Sequence, residues 1–128
     1  MLRSLCMLLI FTLPVACASI DPSASKVDAQ VLLGTWKVDL RPLPGAPDYY
    51  KTLVVTAVNG RTFSGTFYDS PIDEARINTD WSALRIASNT ADRSGAYHHS
   101  AVLKDGQLEG LSNSIGRNFL SYWRAQKP

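Results

Sequence analysis

The sequence predicts an all-β fold, a small antiparallel up-and-down barrel of roughly seven or eight strands, with a two-sheet β-sandwich as the alternative. Three observations predict it. Short segments in which apolar and polar residues alternate recur about every ten to twelve positions beyond residue 31. Turn residues separate them, sharpest at Asn59-Gly60 and Asp105-Gly106. No stretch of useful length keeps a helical period.

The first strand is Gly34 to Leu40, where Trp36, Val38 and Leu40 share one face and Lys37 and Asp39 the other. A one-residue slip would put all three apolar side chains in water, so the register is well specified. Arg41 to Asp48 carries three prolines and a glycine and reads as a long loop. Residues 52–58 and 62–68, rich in Val, Thr and Phe, form a hairpin about Asn59-Gly60. Residues 75–79 read as a short strand or a connection. Residues 81–89 and 97–103 read as strands joined through 90–95, and Asp105-Gly106 turns the chain into 107–113. The last strand covers 119–125. A meander of this order favours closure, because a barrel removes the exposed edges that a flat sheet would keep.

The N-terminus has a different character. One positive charge, Arg3, precedes the apolar run Leu5–Val15, and Ala16-Cys17-Ala18-Ser19 follows. That is the pattern of a secretory signal over residues 1–18, too short to span a bilayer. Ala16-x-Ala18 fits cleavage after Ala18. Leu13-Pro14-Val15-Ala16-Cys17 resembles the bacterial lipobox, which implies lipidation of Cys17 and an anchor in the cell envelope. Cys6 falls within the signal, so Cys17 is the one thiol that either cleavage could leave. Residues 19–30 are small and polar and read as a flexible tether, which leaves 31–126 as the folded domain. Without Arg3 the mature chain keeps 12 basic and 11 acidic side chains, a net charge of +1. Interspersed charges of both signs exclude a nucleic-acid binder. The expected location is periplasmic, or tethered to the membrane by lipid alone.

Leu33-Gly34-Thr35-Trp36 resembles the first strand of the calycin superfamily, the lipocalins and avidins, with its Gly-x-Trp at the closed end of the barrel. Leu53–Ala57 and Gly65-Thr66-Phe67 are similar to the second and third avidin strands. The resemblance implies a calycin-like barrel, with a basic residue packed across the first-strand Trp. Arg124 and Arg117 are the candidates for that residue. Biotin binding does not carry over, because Val38 and Phe67 stand where avidins place polar ligand-binding groups.

No motif points to a cofactor or to catalysis. Adjacent strand residues face opposite ways, so His98 and His99 cannot share one metal. One of them is expected exposed and the other half-buried; His98, in phase with Ser100 and Val102, is the better functional candidate. The carboxylates Asp69, Asp73, Glu74 and Asp80 read as solvated loop charges. Trp36, Phe63 and Phe119 read as core aromatics. Phe67, Asp69, Trp81 and His98 are expected to line one open end of the barrel, with the 41–48 loop nearby and with Arg85 and Ser112 as further candidates. Tight turns at Asn59-Gly60 and Asp105-Gly106 would mark the closed end. The expected activity is binding of a small, partly apolar ligand. The alternatives are a filled barrel that binds an envelope protein and, further off, a small hydrolase-type enzyme.

Overall fold

A computed structural model of the chain describes residues 15–16 and 27–128. The signal sequence and Cys17 therefore lie outside the described residues, apart from Val15 and Ala16. Nine antiparallel strands form one sheet: β1 (Gly34–Asp39), β2 (Tyr50–Asn59), β3 (Thr62–Phe67), β4 (Ser70–Pro71), β5 (Asp73–Asn78), β6 (Arg85–Asp92), β7 (Gly95–Lys104), β8 (Gln107–Ser114) and β9 (Phe119–Gln126). Their order is β4-β3-β2-β1-β9-β8-β7-β6-β5, so the first and last long strands pair and the sheet curls on itself. At the seam, Ile77 N donates to Arg61 O at 2.8 Å and Thr62 Oγ1 to Ala75 O at 3.1 Å. The result is a nearly closed up-and-down barrel.

The barrel has nine strands where seven or eight were expected. β4 is two residues long, too short for alternation to reveal, and Pro71 lacks the N–H of an ordinary strand residue. β6 also differs. It begins at Arg85, leaving residues 79–84 as a loop, and it continues through Thr90 to Asp92 so that only Arg93 and Ser94 link it to β7. Polar side chains on the inner face of β6 made its second half look like a turn.

Both tight hairpins form. Asp105 and Gly106 are left-handed, with φ of 51° and 76°, as a two-residue primed turn requires. The first hairpin turns on Gly60-Arg61, one residue later than expected, with Gly60 at φ 59°. These turns and the 79–84 loop share one end. The 40–49 loop, the Tyr68-Asp69 turn, the Arg93-Ser94 link and the 115–118 connection share the other.

The turn end is plugged. Residues 29–32 form a 3-10 turn whose first N–H groups are capped by Asp28, and Leu32 is fully buried. Trp36 is buried above it and donates its indole N–H to Leu32 O at 2.9 Å. The cation over its ring is Lys127, with Nζ 5.1 Å from the centroid, and not Arg124 or Arg117. Lys127 takes this place because it follows the end of β9 at the plugged end, whereas Arg124 faces out and Arg117 lies at the opposite end. Val38, Leu53, Val55, Phe63, Phe67, Ile77, Leu84, Ile86, Leu108 and Trp123 are the larger side chains of the rest of the core.

Candidate functional site

Register builds the inner wall from β6 to β9 in three rows. The lowest is Ile86, Ala101, Gly110 and Trp123; above it stand Ser88, His99, Ser112 and Ser121; the third holds Thr90, Tyr97, Ser114 and Phe119. The apolar row closes the interior, and the two polar rows line what lies above. Between Phe67, His99 and Trp123 there is space of only about 10 Å³, so the lower half is filled by side chains. Above them a cavity of about 350 Å³ opens at the loop end. Its walls include Phe67, Tyr97, Phe119, Tyr49 and Tyr68, and its polar groups include Thr90, His99, Ser112, Asp92 and Arg117.

His99 is the centre of the floor. Its Nε2 lies 2.8 Å from Thr90 Oγ1 and its Nδ1 2.7 Å from Ser112 Oγ. Ser112 Oγ also accepts the Trp123 indole N–H at 2.9 Å. The ring packs edge-on against Phe67, with centroids 4.5 Å apart, and lies parallel to Tyr97 at 6.3 Å. Burial among these groups pushes the imidazole down to about 4, with neighbouring His98 adding a smaller repulsion. At neutral pH it is uncharged and a weak base.

The rim carries the charges. Arg117 Nη1 donates to Ser94 Oγ at 3.1 Å and to the Tyr97 hydroxyl. Asp92 accepts the Ser94 backbone N–H at 2.7 Å and the Ser94 hydroxyl; these bonds, with Arg117 nearby, hold its carboxyl below the usual range. On another sector of the wall, Tyr49 and Tyr68 share a hydrogen bond between hydroxyls, and Lys51 Nζ stands over their rings at 5.8 Å and 4.8 Å. Tyr68 is left-handed at φ 55°, an uncommon state for an aromatic residue, and the Tyr68-Asp69 turn directs that ring to the cavity.

Comparison with protein-family models, with curated proteins and with solved structures finds no match to this chain.

Of the four residues expected at the open end, Phe67 lines the cavity. Asp69 sits in the rim turn beside Tyr68 and is not part of the wall. Trp81 is elsewhere: it is 79% exposed, in the 79–84 loop at the plugged end, next to the Arg61–Asp80 ion pair. The strand expected over 81–89 begins only at Arg85, so Trp81 stands in the loop before it and away from the mouth. His98 faces outward and bonds Asn89 Oδ1 at 2.8 Å. Its neighbour His99 faces in, because the inward phase of β7 is set by Tyr97, His99, Ala101 and Leu103, whereas Val102 lies on the outer face. Arg85 also points out, opposite the buried Leu84 and Ile86, whereas Ser112 reaches the floor. Phe119 lines the mouth and is not core. Thr90, Tyr97, His99 and the tyrosine pair were missed; the alternation Tyr97, His99, Ala101, Leu103 was the signal that could have found two of them. No cluster of three or more His, Cys, Asp or Glu able to hold a metal occurs among the described residues.

Proposed function

We propose that this protein is an exported, calycin-like barrel that holds a small, partly apolar ligand at its open end. The observation that carries the reading is the cavity above the His99 floor. Its volume of about 350 Å³ is at the small end of the range for ligand sites, and it joins aromatic walls to a few placed polar groups. A barrel that was only a scaffold would fill its upper half as it fills its lower. The calycin kinship is supported by Gly34-Thr35-Trp36 entering at the plugged end and by the Lys127 cation over Trp36. Export and a lipid anchor at Cys17 are supported by the sequence of residues 1–18. A binding role fits better than hydrolysis, since a buried imidazole of such low basicity makes a poor general base.

A second reading is favoured by the outer face. Leu120 and Tyr122 on β9 and Leu43 of the proline-rich loop line a groove, and Leu111 on β8, paired with Tyr122, is exposed beside it. An envelope protein docking there would make the barrel an interaction module. Native mass spectrometry of the protein purified from its exporting cell separates the two. A co-purifying mass of a few hundred daltons or less supports the ligand barrel; a bare chain bound to a protein partner supports the module.

A further inference from the structure

The floor and the rim together specify what the cavity would take. In the floor, four groups bring hydrogens: the Trp123 indole N–H, one N–H of neutral His99, and the Ser112 and Thr90 hydroxyls. If Nε2 carries the proton, Ser112 donates to Nδ1 and Nε2–H donates to Thr90, which leaves the Thr90 hydroxyl hydrogen over. If Nδ1 carries it, Thr90 donates to Nε2, and the Ser112 hydroxyl hydrogen is left over. Among the described residues no further partner takes either hydroxyl. Both residues line the cavity, so in each tautomer one O–H remains for an acceptor atom of a ligand.

The rim offers positive charge. Arg117 uses Nη1 on Ser94 and Tyr97, while Nε and Nη2 make no hydrogen bond among the described residues. Lys51 is in phase with the inward Leu53 on β2, and its Nζ stands over the Tyr49 and Tyr68 rings and makes no hydrogen bond among the described residues. Among the described residues no carboxylate oxygen lies within 4.0 Å of either cation. Asp92 is the one acidic residue in the wall, and it is occupied by Ser94. Tyr97, whose hydroxyl meets Arg117, is two residues along β7 from His99, so the rim and the floor are separated by about 7 Å.

We propose that the ligand is a small aromatic monoanion. Its carboxylate sits at the rim on Arg117, with Lys51 adding to the field. Its ring lies against Phe67, Tyr97 and Phe119, and an oxygen on the far side of the ring accepts the spare floor hydroxyl. A para-oxygenated benzoate has this length and polarity. The inference rests on the cavity being a ligand site at all.

The test is a titration of the full exported chain with 4-hydroxybenzoate and with neutral 4-hydroxybenzamide, followed by the NMR resonance of the Trp123 indole N–H. The anion is expected to bind about tenfold tighter than the amide, the worth of one charge-assisted contact. Arg117→Gln should close that gap, and Lys51→Gln should narrow it. Equal binding of the two compounds overturns the anionic class and leaves a ring-binding cavity standing. Failure of both to move the Trp123 resonance overturns this ligand class. If neutral rings without the phenol oxygen also fail, the reading of the cavity as a ligand site falls with it.

Discussion

Gly110 and Trp123 face each other across β8 and β9, and the indole lies on the bare backbone of the glycine. A Cβ at Gly110 would stand 2.3 Å from Trp123 Cζ2, well inside contact distance. The missing side chain lets the ring lie flat, which brings its N–H to Ser112 and seals the floor under His99. Core packing and site geometry meet at this pair.

Gly110→Ala should therefore lower stability by about 1–3 kcal/mol, since a Cβ would meet three atoms of a buried, rigid ring at 2.3–2.5 Å and something must shift. In a domain of this size that is a drop in Tm of roughly 5–15 °C. A variant melting within a degree or two of the parent would mean that the indole does not lie on the glycine.

The floor histidine makes stability depend on pH. Its pKa is about 4 in the folded chain against 6.5 for the free side chain, so between these values the unfolded chain binds the extra proton. Stability is then full above about pH 6.5 and falls as the pH drops towards 4, by on the order of 2–3 kcal/mol. Urea midpoints at several pH values, compared with those of His99→Gln, isolate this loss from that of the carboxylates. Parallel curves for the two proteins would show that His99 is not held neutral.

How much of this was legible in the sequence differs by level. Trp36, Val38 and the flanking Lys37 and Asp39 fixed the phase of β1, because one face is wholly apolar and the other charged. The closed and open ends also followed from the sequence, since Gly60 and Asp105-Gly106 allow tight turns and the prolines at 42, 44 and 47 demand a loop. The site was harder to read. A cavity wall must carry polar groups inside, so Thr90, His99 and Ser112 break the rule that inward residues are apolar, and the rule then misassigns the phase of β7. Trp81 failed for the opposite reason. A large aromatic beside a strand pattern looks like part of it, but Ser82, left-handed at φ 63°, interrupts the chain there.

The anchor is tested apart from the fold. If Cys17 is lipidated, the protein fractionates with membranes, and Cys17→Ser releases it into the soluble fraction. An intact mass corresponding to an unmodified chain that starts at Ser19 would remove the anchor and leave export in place.

The three indoles are reporters placed by the fold, and they test most directly whether a ligand enters the cavity. Trp123 lies under the cavity, Trp36 is buried at the plugged end, and Trp81 is exposed there. In an NMR titration with small oxygenated aromatic compounds, the Trp123 indole N–H and the amides of Thr90, Tyr97, His99, Ser112 and Arg117 should shift together, while Trp36 and Trp81 stay still. Shifts confined to Leu111, Leu120 and Tyr122 on the outer face, with Trp123 unmoved, would contradict it.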